Sequence, residues 1–127
     1  MGMLTSNKPV AFIFTRDREK LNPFYRDVLG LNLLHEDPFG TTFALGDGAT
    51  MRLTTIKDHV PAPHTVLGWR VVDINAAVRM LKDSGVSPII YPGFGQDELG
   101  IWHAPDGKAK IIWFNDPEGN NLSLTAD

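Results

Sequence analysis

The chain is predicted to fold as an α+β protein whose two βαβββ modules form a curved mixed sheet around a cleft, because its halves repeat each other. Lys8 to Asp17 is an apolar run closed by an aspartate, followed by a helical pattern that stops at Gly30. Thr65 to Asp73 does the same, and its helical pattern stops at Gly85. The tails repeat as well: Phe43, Gly48, Arg52, Leu53 and Thr54 recur at identical spacing as Phe114, Gly119, Ser123, Leu124 and Thr125. Self-similarity on this scale marks a duplicated supersecondary unit. With 127 residues the chain is expected to be one domain made of modules 8–57 and 64–126, joined by a linker over 58–63.

Each element has its own signal. Val10 to Thr15 is dense in apolar and β-branched side chains and reads as a buried strand. Leu21, Phe24, Val28 and Leu29 then share a helical face. Asp17 is expected to cap a short turn from Arg18, and because Pro23 has no N–H to give that turn, the regular helix is expected to begin with Asn22 as cap and Pro23 as its first residue. Leu31 to His35 reads as a strand and Asp37 to Gly40 as a turn. Thr41 to Leu45 and Thr50 to Ile56 are strands joined through Gly46-Asp47-Gly48, a hairpin signal. In the second module Thr65 to Val72 is a strand, and Asp73 caps a helix on which Ile74, Ala77, Val78 and Leu81 share a face. Pro88 to Tyr91 reads as a short strand and Pro92 to Leu99 as a polar, glycine-bearing loop of the kind that borders a pocket. Gly100 to Ala104, Lys110 to Phe114 and Asn121 to Thr125 complete the strands.

Composition removes several functions. A net charge of -3 with interspersed signs gives no basic stripe for nucleic acid or an anionic membrane. The absence of cysteine excludes disulfides and thiolate metal sites. No stretch approaches a membrane span or a signal-peptide core, so a cytoplasmic protein without membrane partners is expected. There is no GxSxG elbow for a serine hydrolase, no phosphate loop and no EF-hand spacing.

Three strings carry a family resemblance: Phe24-Tyr25-Arg26-Asp27-Val28-Leu29-Gly30-Leu31 after Asp17, the strand end Val71-Val72-Asp73, and Asn115-Asp116-Pro117-Glu118-Gly119-Asn120. In this order around two repeats the sequence resembles the vicinal oxygen chelate superfamily of glyoxalase I, the bleomycin-resistance proteins and extradiol dioxygenases. The resemblance implies paired βαβββ modules, usually in homodimers, and in the metal enzymes an ion held by His or Glu from four strand positions. Those positions here are Val10, Arg52, Val66 and Ser123. None is an imidazole or a carboxylate, so the chain resembles a non-metal-binding branch, and no metal and no cofactor are expected.

Candidate site residues follow from the same register. Arg52 offers a guanidinium fork to a ligand carboxylate or phosphate, forms an internal salt bridge, or snorkels to the rim. Arg70 shares a face with Val66 and Gly68, and either enters the cleft or makes a subunit-interface or surface ion pair. Phe12 and Phe14 share the Val10 face, Trp102 and Trp113 are candidate pocket walls, and Ser123 is a polar contact. His103 is the candidate catalytic base, the alternative being a structural role. The expected function is metal-independent binding of an aromatic or anionic small molecule. The alternative is a lyase or dioxygenase of the same superfamily, with a relocated metal site around His64 and His103 or with His103 as general base. A homodimer is expected, because an open sheet face in a chain this short leaves apolar area for a second copy to cover. Sedimentation at several concentrations checks this, and a concentration-independent monomer is the contrary outcome.

Overall fold

The computed structural model describes residues 2–127 and divides into two compact units, Met1–Val60 and Pro61–Asp127. In the first, β1 (Val10–Thr15), α1 (Arg18–Pro23), β2 (Leu33–Glu36), β3 (Gly40–Gly46) and β4 (Ala49–Thr55) follow in order. In the second the order is β5 (Thr65–Arg70), α2 (Ile74–Asp83), β6 (Trp102–His103), β7 (Lys110–Asn115) and β8 (Asn121–Ala126). Each unit is thus a βαβββ module with its own mixed sheet, ordered β1-β4-β3-β2 and β5-β8-β7-β6. The first and last strands of each module pair in parallel, and the remaining pairs are antiparallel.

The curved sheet around a cleft is corrected by this topology. Two separate four-stranded sheets form, and neither is strongly curled or closed. Closure needs more strands and a consistent stagger around the ring. Alternation in the sequence reports which face of a strand is buried, but curl is set by twist and bulges that alternation does not encode.

In the first unit the core face carries Ile13, Phe43, Met51 and Leu53, each at most 1% exposed, under the helical segment's Leu21, Phe24 and Tyr25. The Tyr25 ring packs 6.0 Å from Phe43. Asp17 caps as expected, accepting from the Lys20 N–H at 3.4 Å, but the turn it caps is already the regular helix α1. Pro23 therefore falls inside the helical segment, and Asn22 is buried rather than capping. The missing Pro23 N–H is accommodated by widening: Phe24–Val28 winds as a π turn, with the Leu29 N–H reaching the Phe24 carbonyl at 3.0 Å.

In the second unit Ile74, Val78 and Leu81 of α2 are buried on the sheet face of Ile112, Phe114 and Leu122. Asp73 caps α2 by accepting from the Ala76 N–H at 3.1 Å. Segment 88–91 is not a strand. It makes one ladder-like bond, from the Ile89 N–H to the Trp113 carbonyl at 2.7 Å, and β6 shortens to two residues. Pro88 denies the segment one donor and Pro92 denies the next position another, which limits ladder growth. Among the described residues no helix is long and apolar enough to cross a membrane.

Ile112 is fully buried in the second sheet. Ile112→Ala is expected to lower unfolding free energy by about 2–5 kcal/mol, the usual cost of a large-to-small change in a packed core. Urea denaturation followed by circular dichroism measures it.

Candidate functional site

Because α1 and α2 cover one face of each sheet, alternation delivers the other side chains of every strand to the open face. In the first unit a row runs across four strands: Phe12 on β1 lies beside Arg52 on β4, Arg52 beside Thr42 on β3, and Thr42 beside His35 on β2. Phe12 and Phe14 are 57% and 39% exposed on this face, with Val10 next to them at 54%.

Arg52 is not a free fork. Its Nη2 sits 2.7 Å from the Asp37 carboxylate, and its Nη1 donates to Thr42 Oγ1 at 3.1 Å. Of the alternatives open in the sequence, a ligand fork, an internal salt bridge or a side chain snorkelled to the rim, the geometry is that of the internal salt bridge. Asp37 also accepts from the Phe39 and Gly40 N–H groups at 2.8 and 3.1 Å. The Arg52 hydrogen bond, followed by the Phe39 N–H, holds the Asp37 carboxyl well below the usual carboxylate range. Gly40 makes the crossing feasible. A Cβ there would lie 2.8 Å from the Leu53 carbonyl oxygen and 2.9 Å from Arg52 Nε.

In the second unit the open face has two rows. Gly68, Ser123 and Trp113 form one, and Arg70, Thr125, Ile111 and Trp102 form the next. Trp113 is the centre of an aromatic cluster. Tyr91 meets it edge-on at 5.4 Å, Phe94 edge-on at 6.0 Å, and Trp102 tilted at 6.4 Å. The Tyr91 hydroxyl accepts from Asn121 Nδ2 at 2.9 Å, and Asn121 Oδ1 accepts from Thr65 Oγ1 at 3.0 Å. Phe94 remains 51% exposed, so the cluster is reachable from solvent. A Cβ on Gly68 would collide with Ser123 Oγ, so the glycine gives that serine its room.

Arg70 pairs with Asp127 at 3.1 Å, both side chains mostly exposed, an arrangement worth little energetically. His103 alternates away from Trp102 and so leaves β6 on the side opposite the aromatic cluster. Its Nε2 lies 2.8 Å from Asp97 Oδ2. Burial pushes the Asp97 carboxyl up, but the His103 bond and the Ile101 and Leu99 N–H groups together bring it down. Sequence reasoning thus names residues on both open faces, Phe12, Phe14 and Arg52 on one and Arg70, Trp102, Trp113 and Ser123 on the other, with His103 apart. It missed Tyr91, Asp37 and Asp97. The Asp-Pro-x-Gly run was a turn signal for Asp37. Nothing local marked Tyr91.

The four family metal positions do not fit a divalent ion. Val10 and Val66 have no lone pair to give, Arg52 is a cation and Ser123 is a single hydroxyl. Val10 pairs with Thr50 rather than Arg52, and Ser123 has Gly68 opposite it. Among the described residues no three His, Asp or Glu side chains come together in a way that could hold an ion.

A depressed carboxyl makes the Asp37–Arg52 pair favourable above the ordinary carboxylate range, and its contribution is lost as pH falls through the lower folded value. A carboxyl NMR titration of Asp37 is expected to show its midpoint well below a model aspartate. Arg52→Met is expected to move it upward; an unmoved midpoint would contradict the pairing.

The superfamily profile for Glyoxalase/Bleomycin resistance protein/Dioxygenase matches residues 8–124. Solved structures with the same fold include the antibiotic binding protein TnmS3 from a Streptomyces species, 23% identical with a TM-score of 0.74 over 98% of each chain. A superfamily member from Sphaerobacter thermophilus is 23% identical with a TM-score of 0.73, covering 96% of this chain and 98% of that one. Lactoylglutathione lyase from Agrobacterium tumefaciens is 15% identical with a TM-score of 0.73, covering 95% and 93%. No curated protein sequence matches. With two βαβββ modules and a profile match over nearly its whole length, the chain belongs to the glyoxalase/bleomycin resistance protein/dioxygenase superfamily, a superfamily of small-molecule-binding proteins.

Proposed function

We propose that this protein is a metal-independent binding protein for a planar aromatic molecule, taken up on the open face of its second unit. The observation that carries the reading is Trp113, partly exposed and surrounded by Trp102, Tyr91 and Phe94, with Ser123 in the same row. Aromatic rings offer a flat ligand area at low entropic cost, and they favour offset or edge-on contacts of this kind. The Tyr91 hydroxyl is the polar group carried by the cluster itself; Ser123, in the same row, is only 9% exposed. An anionic ligand is the weaker half of the expectation. Arg52 is already neutralised by Asp37, and Arg70 is engaged with Asp127.

The apolar strip of Val10, Phe12 and Phe14 on β1, an edge strand, supports a homodimer as the working unit. The His103–Asp97 pair favours a second reading, an enzyme with His103 as general base, since a carboxylate orients the imidazole. His103 alternates away from its neighbour Trp102 in β6, so the two readings use different side chains.

Binding of 2-naphthol, measured by calorimetry, is expected to exceed binding of its saturated counterpart 2-decalol. Trp113→Ala is expected to weaken 2-naphthol by about tenfold, the scale of one lost aromatic contact. His103→Asn is expected to leave it unchanged. Equal binding of the two alcohols, or no effect of Trp113→Ala, would sink the aromatic reading.

A further inference from the structure

The aromatic cluster depends on a loop that has no ladder of its own. Residues 84–101 between α2 and β6 contain no regular element, yet they deliver Tyr91 and Phe94 to Trp113. One side chain closes this loop on itself. Gln96 Oε1 accepts from the Tyr91 N–H at 2.7 Å, while its Nε2 donates to the Ile89 carbonyl at 2.9 Å and the Gly100 carbonyl at 2.8 Å. The first bond clamps the base of the turn 91–96, whose tip is Gly93-Phe94-Gly95. The turn is also closed by the Phe94 N–H donating to the Tyr91 carbonyl at 3.1 Å. The other two bonds satisfy backbone carbonyls that a neighbouring strand would otherwise satisfy.

We infer that Gln96 is the positioning residue of the aromatic site, and the inference rests on the binding reading above. It touches no ligand. Its three hydrogen bonds hold Tyr91 and Phe94 against Trp113 before any ligand arrives, so ligand binding does not have to order the loop. A preformed wall of this kind raises affinity by removing an ordering cost rather than by adding a contact. The amide is suited to the role in a way its neighbours in chemistry are not. A carboxylate could accept from Tyr91 but could donate to neither carbonyl, and a methionine of similar length could do none of the three.

The test compares the whole protein with Gln96→Met and Gln96→Glu. The backbone exchange rate of the Tyr91 amide and the near-ultraviolet circular dichroism of the tryptophans are read without ligand, and 2-naphthol affinity is read by calorimetry. In Gln96→Met the Tyr91 amide is expected to exchange faster, the tryptophan band to weaken, and 2-naphthol to bind on the order of tenfold more weakly. The Ile112 and Leu122 amides are expected to keep their protection. Gln96→Glu at neutral pH is expected to keep Tyr91 protected and to fall between the two in affinity. Unchanged Tyr91 exchange and an unchanged tryptophan band in Gln96→Met would overturn the inference. So would a uniform loss of protection that includes Ile112 and Leu122, which marks a purely structural residue. So would lost Tyr91 protection with undiminished affinity. If the wild-type protein does not bind 2-naphthol while Tyr91 exchange and the tryptophan band respond as expected, the positioning role stands and the aromatic-ligand reading fails.

Discussion

Both units depend on the parallel pairing of their first and last strands, β1 with β4 and β5 with β8. This is a non-local contact, and a parallel connection requires a crossover. The crossover here runs through a helix, which covers one face of the sheet and leaves the opposite one open. Once the parallel register is set, period-two alternation assigns every strand side chain to the core or to the open face. A slip of one residue on β4 would bury Arg52 and expose Leu53. Such a slip costs both the burial of a charge and the loss of an apolar core contact.

The open faces use that constraint differently. In the first unit the register sets Arg52 beside Thr42, and the turn before β3 brings Asp37 within reach, so the polar groups satisfy one another. Such a network consumes its own charge, and the side chains of β1 beside it, Val10 and Phe12, are apolar and more than half exposed. In the second unit the row that carries Trp113 contains no charge, Arg70 standing in the next row. Glycine, serine and tryptophan lie side by side, and the irregular loop folds two more rings onto the tryptophan. The chemistry of the second face is therefore stacking with one or two directed hydrogen bonds, whereas that of the first is a neutralised ion pair.

The pairs that carry formal charge differ in what they organise. Asp37 and Asp97 each accept several hydrogen bonds from their own loop in addition to a cationic or imidazole partner. Both carboxyls are lowered as a result, and both act as loop anchors. Arg70 and Asp127 organise nothing beyond themselves and sit in solvent, where screening leaves such a pair little value.

By itself the sequence determined the two βαβββ modules, the second helix, the hairpin turn at Asp47 and the identity of the family. These are local or periodic properties, carried by spacing and turn chemistry. Only the tertiary structure decided the rest. The run of the helical segment through Pro23 into a π turn depends on how that segment settles onto Phe43 and its neighbours. Two open sheets formed in place of one curved sheet because curl follows from twist and stagger, which have no pattern in the sequence. The partner of Arg52 lies fifteen residues away across a turn, and the walls around Trp113 come from a loop without periodicity. Hydrogen bonds between side chains distant in sequence leave no spacing to read, so the fold was legible and the wiring of the site was not.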